Sequence, residues 1–143
     1  MRGPNPLRKF KNLGVVTTPY GSSTTQEDFH PGVDIANKKG TPIPAFAEGV
    51  VEDMETGHMQ GENNFGNMLA IRDQEGNLHQ YSHLEGVNVR PGQSVRKGQK
   101  VATLGNSGAT YSASGKGDGS NLDYRIVNKY SQYLNPMTYL NAL

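Results

Sequence analysis

A chain of 143 residues with a formal net charge of +1 and no cysteine suits one domain and excludes disulfides, cysteine-ligated zinc and thiol nucleophiles together. Hydrophobic residues make up only 34%, tryptophan is absent, and glycine and proline number 18 and 8, which excludes a large helical core and favours short strands between turns. With 14 basic against 13 acidic residues there is no electrostatic basis for nucleic-acid binding, and no run of about 18 apolar residues offers a membrane insertion.

Residues 1–13 are polar and proline-punctuated, with no apolar stretch behind Arg2, Arg8 and Lys9. They read as an N-terminal arm without the character of a secretory signal, leaving residues 14–143 as the domain. Val15–Thr17 is a first strand, Tyr20–Asp28 a loop rich in serine and threonine, and Ile43–Phe46 and Val50–Glu52 strands. A long polar loop over 57–67 leads into a hairpin, Met68–Arg72 and Leu78–Leu84, around the turn Asp73–Asn77. Residues 87–101 read as a strand pair broken at Pro91-Gly92 and Lys97-Gly98. A tract of glycine, serine and alanine fills 106–120, Leu122–Val127 is the last strong strand, and no segment carries a convincing helical period. The expected fold is all-β, a single compact antiparallel sheet or sandwich.

Three places hold residues capable of chemistry. His30 and Asp34 stand four apart in Phe29-His30-Pro31-Gly32-Val33-Asp34. On a straight strand they would lie about 13 Å apart, too far to share an ion, so a turn at Pro31-Gly32 is expected to fold them together. In His79-Gln80-Tyr81-Ser82-His83-Leu84, strand alternation puts His79, Tyr81 and His83 on one face. With Leu84 turned to the core, His79 and His83 are expected on the open face, and His58 on the surface. In Asn121-Leu122-Asp123-Tyr124-Arg125-Ile126 the alternation is clean, with Leu122, Tyr124 and Ile126 inward and Asn121, Asp123 and Arg125 together outward.

Four segments, in order, resemble the LytM/lysostaphin-type zinc metalloendopeptidases. They are FHPGVDIAN with GTPIPAFAEGVV, GNMLAIRDQEGNLHQYSHL, VRPGQSVRKGQKVATLGNSG, and GSNLDYRIV followed by NPMTYL. The resemblance implies a β domain of the duplicated hybrid motif type with an open groove holding one zinc ion, acting on the peptides of peptidoglycan at the cell wall. In the absence of a signal, a virion or phage lysis component would suit such a chain. Residue by residue, it implies His30 and Asp34 as metal ligands and His83 as a catalytic histidine. Asp123 stands where the family has its third ligand, a histidine, and Asn121 where the family has a catalytic histidine base. Tyr111 corresponds to a tyrosine assisting the oxyanion, and Arg125 stands where a glutamate would support the ligand.

Those departures have physical consequences. A His-Asp-Asp set carries more negative charge than His-His-Asp, so a bound water would be less acidic, and magnesium, manganese or calcium would compete better with zinc. The Asn121 amide cannot accept a proton near neutral pH, although it can donate to an oxyanion. Two readings of Arg125 stay open: it orients Asp123 as a ligand, or it neutralises Asp123 in a site without metal. Two functions follow: a metal-dependent endopeptidase on cross-link peptides, weakened or inactive through the lost histidine, or a catalytically degenerate domain that binds peptidoglycan or a protein partner without cleavage.

Overall fold

The computed structural model describes residues 13–23, 29–110 and 117–143. In chain order the strands are β1 (Val15–Thr18), β2 (Gly32–Ala36), β3 (Pro42–Pro44), β4 (Gly49–Glu55), β5 (Asn67–Asp73), β6 (Leu78–Val87), β7 (Ser94–Val95), β8 (Lys100–Leu104), β9 (Asn121–Val127) and β10 (Tyr133–Leu134). One four-residue helix, α1 (Met137–Leu140), follows them. The sequence gives no helical period there because a single turn is too short to show one. It starts at Pro136, whose fixed φ suits a helix start.

All paired strands are antiparallel. The sheet runs β1-β2-β9-β6-β5-β4-β7, with β10 added to β9, and with β8 joining β6 and β3. The hairpin β5–β6 forms around Asp73–Asn77 as expected, with the Asp73 carboxylate accepting from the backbone N–H groups of Glu75 and Asn77.

Strand β6 decides the architecture. Its first half, Leu78–Ser82, pairs with β9, and its second half, Leu84–Val87, pairs with β8. The change of partner falls at His83, whose φ is +66°, a conformation uncommon for a residue with a side chain. Strand parity does not carry through such a break. Tyr81 and Leu84 are therefore both fully buried although they stand three positions apart.

This corrects the expected exposure of His79. It lies on the core side with Tyr81 and has no exposed surface, because the inward phase read back from Leu84 is reversed at His83. The core is otherwise apolar and aromatic. Phe46, Tyr81 and Tyr124 pack with ring centroids 4.6–5.4 Å apart, and the Tyr81 hydroxyl accepts from the Phe46 N–H at 3.0 Å. Leu122, Tyr124 and Ile126 are all fully buried, as the alternation of β9 predicts. Leu13 also packs into the core. The rest of the expected N-terminal arm, residues 1–12, lies outside the described residues.

Candidate functional site

Register places the site. Asp34 on β2 is opposite Asp123 on β9, and Asp123 is opposite Ser82 on β6. Directly opposed residues share a face, so three neighbouring strands bring two carboxylates side by side just before His83. One step along, Gly32, Arg125 and Gln80 form the parallel row.

His30 enters from the segment before β2. Its backbone N–H donates to the Ser22 carbonyl at 2.9 Å, and its own carbonyl accepts from the Gly21 N–H at 2.8 Å. The side chain is 3% exposed, and Nε2 lies 3.2 Å from Asp34 Oδ1. His30 and Asp34 therefore meet as expected, but the expected turn at Pro31-Gly32 is absent. Gly32 is the first residue of β2, and a side chain rather than a chain reversal covers the gap.

Gly32 serves close packing instead. A Cβ built there would fall 2.6 Å from Arg125 Cγ, 2.7 Å from the Tyr124 carbonyl oxygen and 2.9 Å from Asp123 Oδ1. The missing side chain admits the stem of Arg125. The Arg125 guanidinium then donates from Nε to Asp123 Oδ1 and from Nη2 to Asp123 Oδ2, both at 2.9 Å. Its Cζ lies 4.8 Å from the centroid of the Phe65 ring, within cation–π range. The pair is well shielded, with side-chain exposures of 12% for Arg125 and 5% for Asp123.

His83 is fixed by Ser107. Its Nδ1 is 2.8 Å from the Ser107 carbonyl oxygen. A carbonyl only accepts, so Nδ1 carries the proton of this bond. The Ser107 hydroxyl donates to the Leu84 carbonyl at 2.7 Å and accepts from the Asn67 N–H at 3.0 Å. The loop carrying Phe65 is tied to the 105–110 segment by Gly61 N–H to the Gly108 carbonyl and Gly108 N–H to the Met59 carbonyl, each 2.9 Å. Asn121 begins β9, and its Nδ2 donates to the Gly119 carbonyl at 2.8 Å. Tyr111 lies outside the described residues.

The two other histidines belong to different networks. His58 bonds Glu62 at 2.6 Å, and that carboxylate holds its pKa above the ordinary value. His79 donates from Nε2 to Asp73 at 2.9 Å and accepts at Nδ1 from the Tyr124 hydroxyl at 2.7 Å. Burial pushes the His79 pKa down against the opposing pull of Asp73.

His30, Asp34 and Asp123 offer one nitrogen and two oxygens that all lie within 4.8 Å of one another. Tetrahedral zinc with bonds of about 2.1 Å needs ligand atoms about 3.4 Å apart, and His30 with Asp34 satisfies that. Asp123 does not fit as it stands. Both its oxygens already accept from a guanidinium, and a divalent ion there would be forced against that cation. The residues as arranged do not form a free three-ligand metal site.

Sequence reasoning missed Phe65, Ser107 and the packing role of Gly32. Phe65 is the one aromatic residue in an otherwise polar loop, which is a usable signal. Ser107 holds His83 through its carbonyl, which any residue supplies.

The family model for peptidase family M23 matches residues 28–136. Murein hydrolase activator NlpD from Escherichia coli (strain K12) is 33% identical over 128 residues, which are 89% of this chain and 29% of that protein. A mutant catalytic domain of the prophage-encoded M23 protein EnpA from Enterococcus faecalis matches with a TM-score of 0.69 at 30% identity, covering 87% of this chain and 90% of that one. Lysostaphin from Staphylococcus simulans gives a TM-score of 0.70 at 26% identity over 93% of this chain and 51% of that one. The chain spans well under half the length of most of the curated relatives it matches.

Proposed function

This chain belongs to peptidase family M23, and on that premise we propose that it binds the peptide part of peptidoglycan at the cell wall without cleaving it. The observation that carries the reading is the two-pronged grip of Arg125 on Asp123. The carboxylate in the third ligand position is committed to a cation of the chain itself. Asn121 adds to this, because an amide cannot take a proton from water near neutral pH. The relative NlpD is by name a murein hydrolase activator, which is in keeping with a non-cleaving role for a domain of this family. The exposed aromatic residues Phe29, next to His30, and Phe65, over Arg125, supply apolar contact surface beside the site.

The second reading, a zinc-dependent endopeptidase on the same peptides, is favoured by the His30–Asp34 spacing and by the fixing of the His83 ring through its Nδ1 bond to the Ser107 carbonyl. One experiment separates the two. Purified sacculi are incubated with the chain, pelleted, and assayed for bound protein and for newly exposed amino groups, with zinc, with magnesium and with a chelator. Co-sedimentation without new amino groups in any of the three is expected. Release of peptide that zinc supports and the chelator abolishes would overturn the non-cleaving reading.

A further inference from the structure

The socket around Arg125 is more elaborate than an incidental ion pair requires. Three separate elements build it. On β2, Gly32 leaves out the side chain whose Cβ would collide with Arg125 Cγ at 2.6 Å. On β9, Asp123 takes the guanidinium fork through two 2.9 Å hydrogen bonds. In the loop before β5, Phe65 covers the guanidinium at 4.8 Å. Arginine is the side chain that meets all three demands, since its planar fork matches a carboxylate and its flat face stacks on an aromatic ring.

We propose that Arg125 is the resident cation of this site, standing in for a metal ion and closing the His30–Asp34–Asp123 cluster to zinc. The inference rests on the non-cleaving reading only in taking Asp123 as a carboxylate withheld from metal. Two carboxylates meet at the register row Asp34–Asp123, and like charges so close require a cation among them. A guanidinium supplies one permanent positive charge at any physiological pH. It therefore holds the site together without depending on metal supply, and its charge repels a divalent ion entering beside it. Removing that charge exposes a histidine and two carboxylates in ligand range of one another, a donor set that suits zinc.

The test is metal uptake, read independently of hydrolysis. The wild-type chain, Arg125→Gln and Arg125→Lys are stripped with chelator, dialysed against zinc, and analysed for metal per chain and for melting temperature with and without zinc. The wild-type chain is expected to hold far less than one zinc per chain, with a melting temperature indifferent to the metal. Arg125→Gln is expected to bind zinc at least about tenfold more tightly, the scale on which neighbours of a ligand change metal affinity, and to melt higher when zinc is added. Arg125→Lys keeps the charge and loses the fork, so it should melt lower than wild type and still refuse zinc.

One zinc per wild-type chain would overturn the proposal, and that measurement needs no variant to fold. A folded Arg125→Gln that takes no zinc, or an Arg125→Lys that takes as much as Arg125→Gln, would also overturn it. Zinc bound by the wild-type chain with no peptide released would sink this inference and leave the non-cleaving reading standing on Asn121.

Discussion

Arg125 reaches back along its own strand to Asp123, two residues earlier, and meets both carboxylate oxygens at 2.9 Å. Such a two-pronged, largely shielded pair is strong in one specific sense. Removing either partner strands the other charge away from water, which costs about 3–5 kcal/mol. Arg125→Ala and Asp123→Ala are each expected to lower stability on that scale in urea unfolding. The double variant should lose clearly less than the two single losses together, because residues in direct contact couple.

Gly32→Ala should destabilise by about 1–3 kcal/mol, the usual cost of forcing extra volume into a packed region. Its φ is not in the left-handed region, so the effect is steric. The Arg125 stem causes one conflict and the Tyr124 carbonyl another. Gly32→Ala placed on an Arg125→Ala background should therefore cost less than on wild type, yet remain unfavourable. Thermal melts of the four proteins check this.

Ser107→Ala removes a hydroxyl that both donates to Leu84 and accepts from Asn67. Leaving a buried group unpaired costs about 1–3 kcal/mol, and a loss in that range is expected. The Ser107 carbonyl remains, so its bond from His83 Nδ1 should survive. Nitrogen chemical shifts of His83 should report a protonated Nδ1 in both proteins.

The His79–Asp73 pair sets an acid limit. Burial lowers the His79 pKa more than Asp73 raises it. Burial also works to raise the Asp73 pKa, but the hydrogen bonds from His79, Asn77 and Tyr139 outweigh it and the net shift is downward. Both groups bind protons less readily folded than unfolded. Their stabilisation is present above the unfolded values, about 6.5 for histidine and 3.9 for aspartate, and is lost as pH falls through the folded ones. Melting temperature should drop below about pH 6.5 and again below about pH 4. His79→Gln should flatten the first drop. His58 titrates in the opposite sense, its raised pKa favouring the folded state at lower pH, but it is exposed enough for salt to screen it, so the melts belong in high salt.

Much of the fold was legible because β9 and the β5–β6 hairpin obey simple alternation. Leu122, Tyr124 and Ile126 fall inward, and the turn chemistry of Asp73 and Gly76 fixes the hairpin. The meeting of His30, Asp34 and Asp123 was also legible, through family resemblance rather than spacing. What stayed hidden depends on contacts between strands distant in sequence. The phase reversal at His83 arises from a change of pairing partner, which no local pattern announces. The burial of His79 follows from that reversal. The function of Gly32 lies in the side chain of Arg125, far along the chain, so its neighbour Pro31 suggested a turn that does not form. The charges predict the contact of Arg125 with Asp123, and the structure shows it as a two-pronged pair. The two readings of that contact, orienting a ligand or neutralising it, differ in metal content, which the zinc-uptake measurement reads.

Tyr124 sits between Asp123 and Arg125 in sequence, yet its hydroxyl belongs to the His79 network on the opposite face of β9. One strand thus serves as the common wall of two polar rooms, a single peptide unit thick. Mutational scans that treat residues 123–125 as one functional patch would mix two phenotypes. Losses at 123 and 125 should track the charge on the outer face. Losses at 124 should track acid tolerance and the seating of α1, whose Tyr139 bonds Asp73 in the same inner network.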